Sequence, residues 1–211
     1  MGGTMKFLIL SDLHSMITHY FIEEIIEKEN IDLVILLGDL TNFGPAEFVL
    51  DIFTDKKPIL AIPGNCDPPD VLNYIDKSGM INMHKNKYKF KDLEIIGLGG
   101  SDFNFINMGI GYSDEEAYNF LVDKIDENSI LMLHQPPYGI LDSVRNMHAG
   151  NKGIRKAVDE KKPKIVMSGH IHEERGSLIY NGTLFFNPGP AKEGYYAILD
   201  YDEFKVHLMK K

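Results

Sequence analysis

The sequence predicts a single α/β domain built on two packed sheets. Two observations carry this. The first half alternates buried apolar runs with amphipathic stretches in a β–α–β–α–β order, spaced for parallel strands and right-handed crossovers. The second half is rich in short strands, and no repeat, linker or low-complexity segment interrupts the chain. Its 211 residues suffice to bury a sizeable core.

Taken in order, residues 6–11 form a continuous apolar run, a buried strand, followed at once by Asp12-Leu13-His14. Residues 17–29 place Ile17, Tyr20, Phe21, Ile25 and Ile26 on one helix face. A second buried strand at 32–37 ends in Gly38-Asp39. Pro45 opens a helix to about 54, since proline is tolerated in a first turn. A third strand at 58–62 ends in Pro63-Gly64-Asn65-Cys66-Asp67. Residues 69–77 read as a short helix, and 80–84, 88–90 and 93–98 as short antiparallel strands. Ser113 with Glu116 forms a capping box for a helix to about 126. The strand at 130–133 delivers His134, and 139–150 reads as loop after Pro136-Pro137. A helix at 151–160 precedes the strand at 164–168, which carries Gly169-His170-Ile171-His172. The tail is all β: strands at 178–180 and 183–186 joined by Asn181-Gly182, then 195–201 and 205–209.

Composition narrows the function. Apolar content of 44% and charged content of 25% are ordinary for a globular protein. The net charge of −9 argues against a broad surface for duplex nucleic acid or an anionic membrane. No run approaches a membrane span, and residues 5–10 are too short for a signal-peptide core. Cys66 is the lone cysteine, so no intrachain disulfide forms, and a cytoplasmic location is expected. Residues 1–4 read as a cloning scar or an extended N-terminus ahead of a domain at 5–211.

The chemistry sits at the strand ends. His170 and His172 lie at i and i+2, which point to one face of an extended chain, and imidazole is the commonest transition-metal side-chain ligand. Asp12, His14, Asp39, Asn65 and His134 likewise follow apolar runs. Two Asp, one Asn and four His suffice for two metal ions if one carboxylate bridges. Such oxygen and imidazole sets suit Mn, Fe, Ni, Co or Zn rather than Ca.

The motifs Asp12-Leu13-His14, Gly38-Asp39, Gly64-Asn65-Cys66-Asp67, His134 and Gly169-His170-Ile171-His172 resemble, in that order, those of the calcineurin-like metallophosphoesterases. The resemblance spans residues 6 to about 190. It implies a four-layer α/β/β/α sandwich of two mixed sheets, with a dinuclear site on loops at one edge. It further implies that Asp12, His14 and His172 bind one divalent ion, that Asn65, His134 and His170 bind the other, and that Asp39 bridges both. Two such ions lower the pKa of a shared water and clamp the attacking and leaving oxygens of an in-line displacement. The implied substrate is a small phosphoester or nucleotide, with diesters favoured over monoesters. Asp39 and Asn65 join the catalytic set, and Asn65 also contacts substrate. A homodimer stays open.

One departure stands out. Much of the family carries a histidine in the third motif that contacts the phosphate and leaving group; here it is Cys66, as in small prokaryotic members. Cys66 reads as a small packed side chain, with nucleophile or further ligand as its other readings. The general acid is therefore unassigned, and His148 is its candidate, in a loop between two ligand-bearing strands. Arg145 accompanies it as a phosphate contact. His19, His84 and His207 read as surface residues, Asn42 and Phe43 as pocket lining or plain loop, and 187–190 as a turn closing the second sheet. Two other functions stay in play. One is a protein-binding scaffold like the retromer subunit of this fold, which has lost ligand positions. The other is a DNA-end nuclease, disfavoured by the missing basic patch.

Overall fold

A computed structural model describes residues 4–102 and 109–211. The chain opens with β1 (Lys6–Leu10), α1 (His19–Glu29), β2 (Leu33–Leu37), a 3₁₀ helix (Ala46–Asp51), β3 (Ile59–Ile62), α2 (Val71–Ser78) and β4 (Ile81–Asn82). Then come β5 (Asn86–Phe90), β6 (Leu93–Leu98), β7 (Ser101–Asp102), β8 (Gly111–Tyr112), α3 (Asp114–Val122) and β9 (Ile130–Leu133). β10 (Ser143–Val144), β11 (Met147–His148), α4 (Lys152–Lys161) and β12 (Ile165–Met167) follow. The chain ends with β13 (Gly176–Tyr180), β14 (Thr183–Asn187), β15 (Tyr195–Asp200) and β16 (Lys205–Lys210).

Two six-stranded sheets result, ordered β16-β15-β1-β2-β3-β4 and β13-β14-β12-β9-β6-β5. β1 to β4 run parallel in the first, and β6, β9, β12 and β14 in the second. The continuous apolar runs are explained by what lies on each face. Side chains alternate along a strand, and here both faces are covered. Phe7, Ile9, Leu33, Ile35, Leu37, Ile130, Met132, Ile165 and Met167 fill the layer between the sheets. Leu8, Leu10, Val34 and Leu36 meet α1, α2 and the 3₁₀ helix on the outer side. Leu131, Leu133 and Val166 meet α3 and α4 on the other outer side. The fold is a four-layer α/β/β/α sandwich. Among the described residues, no helix is long and apolar enough to cross a membrane.

Four expectations need correction. β4 pairs parallel to β3 (Leu60↔Ile81) because α2 forms a crossover between them. The stretch after Pro45 is 3₁₀, and its buried Ala46, Val49 and Ile52 recur every three residues, the 3₁₀ period. α1 begins at His19, and Ile22 takes the core position expected of Tyr20, which is exposed. Within 139–150, β10 and β11 form a hairpin turned by Arg145 (φ 49°) and Asn146 (φ 66°), the left-handed pair of a tight two-residue turn.

Candidate metal centre

All seven motif side chains follow the C-terminal ends of parallel strands, so both sheets deliver them to one edge. The loops are tied together: Asp12 N–H donates to Gly38 O (3.0 Å), His14 N–H to Asp39 O (2.8 Å) and Gly169 N–H to His134 O (3.0 Å). His170 N–H donates to Asp12 Oδ2 at 3.2 Å, joining the second sheet to the first. Asp12, His14, Asp39 and His170 have φ of 55°, 48°, 49° and 67°. Left-handed backbone at such residues costs about 1–3 kcal/mol each, and the surrounding contacts hold it. Gly64 and Gly169 are needed for close approach. A Cβ on the first would lie 2.1 Å from Asp39 Oδ1, and on the second 1.7 Å from Ser11 Oγ.

The side chains form two groups. The rings of His14 and His172 lie 5.7 Å apart, and those of His134 and His170 lie 5.0 Å apart. Asp39 stands between the groups, with Oδ2 3.6 Å from His14 Nε2 and Oδ1 3.5 Å from His134 Nε2. Asp12 Oδ1 is 3.4 Å from His172 Nε2. His134 Nδ1–H donates to the Leu37 carbonyl (2.7 Å), which fixes its tautomer and leaves Nε2 as the ligand nitrogen. That Nε2 faces Asn65 Oδ1 at 2.8 Å.

Electrostatics keep these groups ready to bind. Burial and neighbouring His134 push His170 down to about 4, so it is neutral. Burial also lowers His14, against the pull of Asp39. Burial alone would raise Asp12, but His172 and His134 outweigh it and hold the carboxyl below the usual range. The Asp12 carboxylate, with Oδ1 3.4 Å from Nε2, in turn raises His172.

The residues fit divalent metal ions. Asp12 Oδ1 and both ring nitrogens of His14 are buried without a hydrogen-bond partner, a costly arrangement unless a cation takes the lone pairs. Ligand atoms of Asp12, His14 and His172 lie within 4.8 Å of one another, as do those of Asp12, Asp39 and His134. Cys66 also enters such a group, with His14 and Asp39. It is half-buried at the centre itself, rather than packed away from it, and burial with Asp39 pushes its thiol pKa up.

Two supporting residues, placed by the sequence reading only in a motif and a turn, brace the site. Asp67 is fully buried and accepts from Leu40 N (3.0 Å), Thr41 N (2.7 Å), Thr41 Oγ1 (2.9 Å) and Gly64 N (2.7 Å). It locks the Asp39 and Asn65 loops together, and burial beside Asp39 raises it to about 6. Asn187 donates to Ile171 O (2.8 Å), between His170 and His172, while Ala191 N–H donates to Ser11 O (2.7 Å). The 187–190 turn therefore braces ligand loops of both sheets.

Other candidates lie apart from these contacts. His148 bonds to Asp142 and lies against the Tyr138 ring at a tilt, and Arg145 is exposed at its hairpin tip. Phe43 is exposed, although its N–H donates to Cys66 O at 3.0 Å, and Asn42 beside it is exposed too. His207 is exposed as expected. His19 bonds to Asp51 O, and His84 is half-buried rather than fully at the surface.

A family profile described as calcineurin-like phosphoesterase matches residues 5–174. An uncharacterised protein of Methanocaldococcus jannaschii is 31% identical over 197 residues, covering 88% of each chain. The structure of TT1561 of Thermus thermophilus superposes with a TM-score of 0.78 at 16% identity, over 99% of each chain. A structure described as a novel archaeal phosphodiesterase gives 0.55 at 17% identity, over 98% of this chain and 100% of the other. At such identities the two structures speak to fold alone.

Proposed function

The chain belongs to the calcineurin-like phosphoesterase family, and we propose that it is a phosphodiesterase dependent on two divalent transition-metal ions. Asp12, His14 and His172 would hold one ion, Asn65, His134 and His170 the other, and Asp39 both. The observation that carries this reading is Asp39, whose two oxygens face one histidine of each group at 3.6 and 3.5 Å. When bound, such ions supply Lewis acidity and positive charge where an anionic phosphate must sit. The chain's own part is positioning. His134 is held by Leu37 O, Asp39 by the Cys66 N–H at 2.8 Å, and Asn65 by its place on the locked loop. Substrate is a small phosphoester or nucleotide, with diesters preferred. Manganese is the first metal to test, and the lone thiol suits the reducing cytoplasm.

The test is to strip the protein of metal, reload it with Mn, Ni, Fe, Co or Zn, and assay bis(p-nitrophenyl) phosphate against p-nitrophenyl phosphate. Faster diester hydrolysis with two bound ions per chain is expected. No hydrolysis with any metal would instead favour the scaffold reading. Asp39→Ala should lose at least about 10²-fold in rate, since even residues behind a ligand contribute about 10–100-fold.

A further inference from the structure

A second polar cluster lies on the segment that follows His134. Asp142 is buried, and its Oδ2 accepts from Gly139 N (2.8 Å) and Gly150 N (3.0 Å). Its Oδ1 accepts from His148 Nδ1 at 2.8 Å. A carboxylate fixed by two backbone donors fixes the imidazole in turn. The proton sits on Nδ1, and Nε2 is the open edge of the ring. The Tyr138 ring packs on this imidazole at 4.9 Å. His148 lines a cavity of about 360 Å³ with Asp102, Asp114, Tyr138 and Lys152.

This cavity is fastened to the metal centre at two points. Gln135 directly follows His134 and is fully buried. It donates to Asp102 Oδ2 (3.0 Å) and to Ala149 O (2.9 Å), and accepts from Asp102 N (3.0 Å). Both flanks of the cavity thus hang on the neighbour of a proposed ligand. The return strand β8 follows Gly109, where a Cβ would lie 2.1 Å from Asn65 O.

We infer that His148, oriented by Asp142, protonates the leaving oxygen, and that the departing alcohol lies in this cavity. This rests on the phosphodiesterase reading above. In the step, a water oxygen bonds to phosphorus as the bond from phosphorus to the departing oxygen breaks. A second proton, taken from bulk water onto His148 Nε2, moves to that oxygen while Nδ1–H stays bonded to Asp142, and the attacking water's proton goes to solvent. The His148 side chain is 51% exposed, so the ring is recharged from bulk water. The lining of two carboxylates, an ammonium and a phenol suits an alcohol that carries further hydroxyls. His148 is the catalytic group and Asp142 its positioning residue.

The test compares two diesters on the metal-loaded protein. Glycerophosphoglycerol departs as an alkoxide and needs the proton, whereas bis(p-nitrophenyl) phosphate departs as a weak base and does not. His148→Ala and His148→Gln should slow the first by about 10²-fold or more and the second by less than about 10-fold. Asp142→Asn should show the same split, in kcat rather than KM. Metal content and melting temperature are measured for each variant, and one variant matching wild type in both suffices. Equal losses on both substrates, or none, overturn the inference while leaving the phosphodiesterase standing. A wild type that cleaves neither diester with any metal overturns both.

Discussion

Asp67 accepts four hydrogen bonds from two loops that are far apart in sequence. Asparagine there would turn an amide NH₂ against donors it cannot accept from. We expect Asp67→Asn to weaken metal binding by about 10–100-fold, read by titration with Mn; unchanged affinity would remove its locking role. The proposed ligands were legible because each directly follows an apolar run. Asp67, Gln135, Asp142 and Asn187 were not, because their work is to accept or donate across loops that meet only in the fold. His84 gives a pH prediction. Burial, with Lys85 adding, pushes its imidazole from 6.5 to about 4. Between those values the unfolded chain takes a proton that the folded protein refuses. Stability from this group is therefore complete above about 6.5, falls as pH drops, and levels off near 4. The loss is on the order of 1–3 kcal/mol. Urea midpoints at pH 7 and 4.5 should differ less in His84→Gln than in wild type; equal differences would refute the assignment.

At the scale of elements, α3 is the most fully specified helix. Ser113 Oγ accepts from Glu116 N (3.1 Å), and the Glu116 carboxylate accepts from Ser113 N (2.7 Å). Both bonds satisfy end donors, so Ser113→Ala should cost about 1 kcal/mol, measured by chemical denaturation. A cost near zero would mean water replaces the cap. This box was readable from spacing alone, as were the buried strands. The 3₁₀ helix after Pro45 was not: Ala46, Val49 and Ile52 satisfy an α-helical and a 3₁₀ reading nearly equally over two turns. The β10–β11 hairpin also escaped, because arginine at 145 is not a usual left-handed turn residue. The pairing of β4 depended on α2 making a crossover, which strand pattern alone does not decide.

Across the whole molecule, the two sheets meet in two different ways. Over most of their area the contact is apolar, through Phe7, Ile35, Met132, Met167 and Phe186. At one edge it is polar: Asp12, Asp39 and Asn65 come from the first sheet, and His134, His170 and His172 from the second. Ions shared between these sets would link the sheets, and the unfolded chain could not offer the same set. Anything that binds only the folded state stabilises it by RT ln(1 + [L]/Kd), about 2.7 kcal/mol at a hundredfold excess over Kd. Mn or Zn at that excess should therefore raise the melting temperature of the stripped protein by several degrees, and EDTA should reverse it. Asp39→Ala should abolish most of this shift, because it removes the carboxylate facing both groups. His148→Ala should keep it in full, because His148 bonds to Asp142 and to no proposed ligand. A metal-dependent shift that survives in Asp39→Ala would place the stabilising ion outside this cluster.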